Sequence, residues 1–150
     1  MSDIPHANDI CRMDAAQLAD SIQKKDVSPV EVIDAVFARM DRLEPELHAF
    51  CTPTPELARA DAQRLEAEIM AGRETGPLAG VPVGIKDLVL TKGVRTTAGS
   101  WAYHDYVPEE DDVVVERLKA ADAIIIGKTN TPEFGYSGVT ENELFDTTCN

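Results

Sequence analysis

Gly80-Val81-Pro82-Val83-Gly84-Ile85-Lys86-Asp87 is the stretch on which the fold turns. Val81, Val83 and Ile85 alternate with Pro82, Gly84 and Lys86, a period of two that reads as a strand. The strand ends in a lysine between Ile85 and Asp87, which puts an ammonium at the rim of a sheet. Two readings of Lys86 stand open at this point. A solvated lysine at a strand end needs no further role. A lysine desolvated by neighbours such as Val83 and Ile85 is pushed toward its neutral form, because burial disfavours charge. A neutral lysine is a proton acceptor, so the stretch can hold a catalytic base.

Outward from this strand, Asp111 or Asp112 can cap a short helix whose Val114, Val115 and Leu118 face inward. Its end at Ala120-Ala121-Asp122 leads into Ala123-Ile124-Ile125-Ile126-Gly127, apolar enough for a strand buried on both faces. Strand, helix, strand in that order predicts a parallel pair with a right-handed crossover. Upstream the periodicity is helical. Ala15, Leu18, Ala19 and Ile22 make one face of a helix from about Asp14 to Lys25. Ser28-Pro29-Val30-Glu31 is a capping box with proline at the first helical position. Ile33, Val36, Phe37, Met40 and Leu43 follow, and Pro45 is expected to stop the run. Thr54-Pro55 opens a further helix with the stripe Ala58, Ala62, Leu65 and Ile69, and Gly72 suits the position after its end. These stripes read as core packing. Glycine and proline become frequent near Gly76, so residues 1–75 form a mainly helical layer and residues 76–150 the start of an α/β sheet.

The chain has 150 residues, enough for a real core in one domain, with 43% hydrophobic and 27% charged residues. The net charge of −13 and the lack of a basic stripe argue against nucleic-acid binding and against anionic membranes. There is no apolar run of about 18 residues and no secretory h-region. Cys11, Cys51 and Cys149 are widely spaced and form no CxxC, which fits a reducing, cytoplasmic compartment. His6, His48 and His104 form no close pair, so zinc chemistry has little support.

Three short motifs imitate chemistry. Gly127-Lys128-Thr129 matches the tail of a phosphate-binding P-loop, but Asp122 stands where that loop needs a glycine, and Ala123 to Ile126 read as strand. Ser21-Ile22-Gln23-Lys24 matches S-x-x-K on an amphipathic helix with no partner motif. Gly135-Tyr136-Ser137-Gly138 approaches a nucleophile elbow but has Val139 where the second glycine belongs.

A fourth pattern is long. Gly76-Pro77-Leu78-Ala79 leads into Gly80–Asp87, then Thr96-Thr97-Ala98-Gly99-Ser100. Asp112–Leu118, Ile126-Gly127-Lys128-Thr129-Asn130, Glu133-Phe134-Gly135 and Asn142–Asn150 complete it. These ordered blocks resemble the amidase signature family closely over half of the chain. Ser28-Pro29-Val30-Glu31-Val32 and Leu47-His48-Ala49-Phe50 are similar to that family's N-terminal helices.

The resemblance implies an α/β fold: a helical layer followed by the start of a mixed, largely parallel sheet, with the rest of a single amidase domain outside this chain. It implies hydrolysis of linear amides by a Ser–cis-Ser–Lys triad, with Lys86 as the base that takes the nucleophile's proton through a bridging serine. A serine hydroxyl is a poor nucleophile until a base removes that proton. A lysine with an ordinary pKa of about 10.4 must fall by roughly three units to be neutral near pH 7, close to 4 kcal/mol. Asp87 would oppose this if close, so it is expected to face away and bond backbone. Both serines belong to a block expected after Asn150, so the 150-residue segment alone is expected to be inactive. By the same likeness Gly135, Tyr136 and Ser137 approach the substrate; an ordinary surface turn is the other reading. Ser100 is assigned to loop packing. Asp122 and Asp146 stand where the family commonly has glycine, and aspartate tolerates the left-handed region better than most residues. No cofactor or metal is implied. The implied partner is a small-molecule amide, and a homodimer is compatible. A glutaminase-type subunit of an amidotransferase and a non-catalytic scaffold of the same fold are the alternatives.

Overall fold

The computed structural model describes residues 10–149, so His6 and Asn150 lie outside the described residues. Helix α1 (Ala15–Gln23) starts on a capping box: Gln17 N donates to Asp14 Oδ1 at 2.8 Å, and Asp14 N donates to Gln17 Oε1 at 3.2 Å. Helix α2 (Pro29–Leu47) repeats the device. Glu31 N donates to Ser28 Oγ at 3.1 Å, and Ser28 N to Glu31 Oε2 at 2.8 Å. Pro45 does not stop α2 as expected but lies inside it. Proline removes one intrahelical donor, yet the last turn is still secured, because His48 N donates to Glu44 O at 2.9 Å. His48, at φ 50°, then ends the helix in the left-handed region.

Strand β1 (Phe50–Pro53) follows, then helix α3 (Pro55–Met70). Ala58, Ala62, Leu65 and Ile69 are all buried, and Gly72 has the positive φ, 83°, expected after the helix end. Strand β2 (Pro82–Lys86), helix α4 (Val113–Ala120) and strand β3 (Ile124–Thr129) complete the regular elements. β2 and β3 run parallel, as the strand–helix–strand order predicts, and β1 lies antiparallel on the other side of β3. The sheet order is β1-β3-β2.

The central strand is apolar because both its faces are covered. Ile124 and Ile126 pack with α1, α2 and α3 residues such as Ile22, Ile33 and Leu65. Ile125 points the other way, against Ile85 of β2 and Val115 of α4. Alternation along the strand thus feeds two cores. The α4 expectations hold in part. Val115 is fully buried, but Val114 is exposed. Asp112 occupies the N-cap without a side-chain bond, while Asp111 instead accepts from Lys92 N and Lys119 Nζ, each at 2.7 Å.

Asp122 adopts φ 63° between α4 and β3. Its carboxylate accepts from Gly76 N at 2.7 Å and from Arg73 Nη2 at 2.9 Å. Burial pushes this carboxyl up, but the Arg73 guanidinium and the Gly76 amide hold it below its ordinary value. Asp146 is not among the described residues with positive φ, so its turn does not demand glycine.

Candidate active site

Lys86 closes β2 opposite Thr129 of β3, and it is exposed. The expected desolvation by Val83 and Ile85 is not what this segment provides. Alternation along β2 turns those two side chains toward α4, and Lys86 therefore projects on the opposite face with Gly84. Gly84 is held bare by its surroundings: a Cβ there would lie 2.9 Å from Thr129 Cγ2 and 3.3 Å from the Phe50 ring. The ammonium lies over the turn Glu133–Gly135. A Cβ placed on Gly135 would sit 3.9 Å from Lys86 Nζ and 2.7 Å from Leu88 Cδ1.

Asp87 follows Lys86 and points inward, where it is fully buried. Its Oδ2 accepts from Thr97 N at 3.1 Å and also from the Thr97 hydroxyl. The carboxylate therefore faces away from Lys86 and bonds backbone, as expected, but it also faces a cation. Lys128 Nζ lies 3.9 Å from Asp87 Oδ1, and both side chains have no exposed surface. Asp87 Oδ1 has no hydrogen-bond partner. Lys128 Nζ donates to Val89 O, to Thr91 Oγ1 at 3.2 Å and to Thr96 Oγ1 at 2.8 Å. Burial pushes the Lys128 pKa down to about 8, against the pull of Asp87 and Cys51. Burial, with Asp87 adding to it, pushes the Cys51 thiol up to about 12, so this thiol stays protonated and inert at neutral pH. Lys128 is thus a strand residue inside the core, and Gly127-Lys128-Thr129 makes no phosphate cradle. In sequence, Lys128 directly follows the apolar stretch Ala123–Gly127, and in the structure burial continues through it.

The Thr96–Ser100 block supports the turn beneath Lys86. Thr97 Oγ1 accepts from Gly99 N at 3.1 Å, Ala98 N donates to Asp87 O at 2.9 Å, and Phe134 N donates to Ala98 O at 2.8 Å. Ala98 and Phe134 both have positive φ, 54° and 48°, beside Gly99 and Gly135 at 65° and 70°. Strained non-glycine backbone of this kind concentrates at functional sites because the surroundings must over-determine it. Ser100 is buried and its hydroxyl accepts from Ala102 N at 3.4 Å, the packing role assigned to it.

Of the three residues expected on the substrate side, Gly135 lies close to Lys86 Nζ. Tyr136 is 96% exposed. Ser137 is exposed and accepts from Val139 N at 3.3 Å within its own turn. Tyr136 and Ser137 border an open depression with Phe134 and Glu141. Among the described residues no group of three or more His, Cys, Asp or Glu side chains could hold a metal ion. No described helix is long and apolar enough to cross a membrane.

Comparison with known proteins bears on the family and the fold. The family model described as Amidase matches residues 31–150. A glutamyl-tRNA(Gln) amidotransferase subunit of Carboxydothermus hydrogenoformans is 43% identical over 138 residues, which is 92% of this chain and 28% of that protein. A bacterial aryl acylamidase described as belonging to the amidase signature enzymes family superposes with a TM-score of 0.84 at 30% identity. That match covers 90% of this chain and 29% of the acylamidase. Fatty acid amide hydrolase superposes with a TM-score of 0.92 over 97% of this chain and 26% of its own; at 22% identity it speaks for the fold alone. The chain spans under a third of the length of each of these proteins.

Proposed function

This chain belongs to the amidase signature family, and on that premise we propose that it is the N-terminal part of an amidase domain that hydrolyses carboxylic amides in the cytoplasm. Lys86 is the general base. It takes the proton of a serine nucleophile through a second, bridging serine, both supplied by sequence outside these residues. The serine oxygen attacks the amide carbonyl carbon, and the proton held by Lys86 passes to the departing amine. Water then cleaves the acyl-enzyme by the same route in reverse. The observation that carries this reading is Lys86 Nζ over Gly135, at the exposed C-terminal end of β2. There an incoming serine can reach the Lys86 amine without displacing core. Because Lys86 is exposed on this segment, exclusion of water from it falls to the remainder of the domain.

The test is turnover by the full-length protein. Lys86→Ala should lower kcat by at least about 10²-fold, the usual scale for losing a general base. Lys86→Arg should do little better, since arginine stays protonated and cannot accept the proton. Circular dichroism serves as the folding control. A well-folded, active Lys86→Arg protein would return Lys86 to the solvated strand end.

A second reading, a glutaminase-type amidotransferase subunit, is favoured by the 43% identity to the Carboxydothermus amidotransferase protein. Glutamine as the best amide, with co-purifying partner subunits, would select it. Turnover of simple amides by the protein alone would select the hydrolase. Absence of two suitably placed serines from the full-length sequence would leave only a scaffold.

A further inference from the structure

We infer that Lys128 is a positioning residue for Lys86: from inside the sheet it holds the turn leaving β2 and the loop on which Glu133–Gly135 rests. This rests on the reading of Lys86 as the base. A lysine with no exposed surface in the middle strand is not needed to fill space, because an apolar side chain of similar volume is at least as favourable there. What the ammonium adds is direction. It donates to Val89 O, and Val89 N in turn donates to Lys86 O at 2.9 Å, so both backbone groups of Val89 are tied, one to each lysine. It also donates to Thr96, the neighbour of the Thr97 that donates twice to Asp87.

From there the bonds run through Asp87 O to Ala98 N and from Ala98 O to Phe134 N. The next residue, Gly135, lies under Lys86 Nζ. The path therefore begins at one lysine and closes on the other. Asp87 Oδ1 has no hydrogen-bond partner, and the Lys128 ammonium 3.9 Å away is the charge that compensates it. Losing Lys128 alone would strand a buried carboxylate, while Val89 O keeps the Thr91 hydroxyl as a donor and Thr96 Oγ1 keeps its bond to Val94 O.

Two variants of the full-length protein separate positioning from bulk stability. Asp87→Asn/Lys128→Met removes both charges together and so avoids an unpaired buried ion. Thr96→Val keeps both charges and nearly the same volume. Each is assayed on whichever of glutamine, an aliphatic amide or an aryl amide the parent turns over fastest. The double variant should melt close to the parent yet lose at least about tenfold in kcat with KM changed less than about threefold, the pattern of a misplaced catalytic group. Thr96→Val should lose at least about threefold, again in kcat. Parent-level kcat in both variants, or losses no larger than the loss of folded protein, would overturn the inference. Lys86→Ala assayed alongside keeps the two readings apart. If it retains turnover, the base assignment fails and positioning falls with it. If it is inactive while the double variant is fully active, positioning alone fails.

Discussion

Lys128 gives the clearest case in which a single residue makes folding respond to pH. Burial lowers its pKa to about 8 in the folded chain, against 10.5 for an ordinary lysine. Between those values the unfolded chain holds a proton that the folded chain has released, so stability rises with pH across this window. Below about pH 8 both states are protonated and the desolvation cost is felt in full. The gain on reaching the upper end is roughly 3 kcal/mol, because each tenfold change in proton affinity is worth about 1.4 kcal/mol. The groups that face this ammonium are the Asp87 carboxylate and the Cys51 thiol, and both pull its pKa upward. The expected result is a melting temperature of the full-length protein that climbs between pH 8 and 10.5 relative to Asp87→Asn/Lys128→Met. A constant difference between the two would show that Lys128 does not titrate in this range. Lys86 and Lys128 also mark what sequence can and cannot say about single residues. The alternation placed Lys86 at the rim of the sheet, but the same alternation turned its apolar neighbours away. Lys128 looked like the tail of a phosphate loop, and its burial follows only from what covers β3 on both sides.

At the scale of elements, the close approach of β1 to β3 depends on one glycine. Gly127 has φ 145°, and a Cβ there would lie 2.7 Å from Thr52 O and 2.8 Å from Pro53 Cα, both backbone atoms of β1. Backbone cannot swing aside as a flexible side chain can, so Gly127→Ala should prise β1 from the sheet at a cost of about 3 kcal/mol, near the top of the ordinary range. Gly72 also has positive φ, 83°, but nothing lies within 4 Å of its Cβ position. Gly72→Ala should therefore cost only the left-handed strain, about 1–2 kcal/mol. Urea midpoints of the two variants would check the order, and equal midpoints would refute the argument from close approach. The helices were legible because their signals are local: the Ser28 capping box, the Thr54-Pro55 start and the Gly72 stop all lie within one or two turns. Strand β1 was not. Phe50-Cys51-Thr52-Pro53 has no alternation to read, and its pairing partner lies more than 70 residues away. Pro45 does not act as a stop: it loses its own intrahelical donor, but the following residues stay helical to Leu47 and His48 closes the last turn onto Glu44 O.

For the whole molecule, the question is whether these residues carry a complete catalytic apparatus, and the serines answer it. Ser28 caps α2, Ser100 caps the short turn after Gly99, and Ser137 bonds within its own loop. Ser21 lies on α1, remote in sequence from the sheet rim, and Ser2 lies outside the described residues. Ser28, Ser100 and Ser137 each accept a hydrogen bond from a backbone N–H of their own segment. Helices on one face and α4 on the other make the β2–β3 pair a folded platform, and none of Ser28, Ser100 and Ser137 is hydrogen-bonded to Lys86, the base proposed above. Residues 1–150 expressed alone should therefore hydrolyse no simple aryl or aliphatic amide faster than their own Lys86→Ala variant, while the full-length protein does. Circular dichroism on the same samples guards against mistaking an unfolded chain for an inactive one. Turnover by residues 1–150 that disappears with Lys86→Ala would mean that a nucleophile within this segment reaches the lysine, and Ser137, exposed and two residues from Gly135, would be the first to replace with alanine.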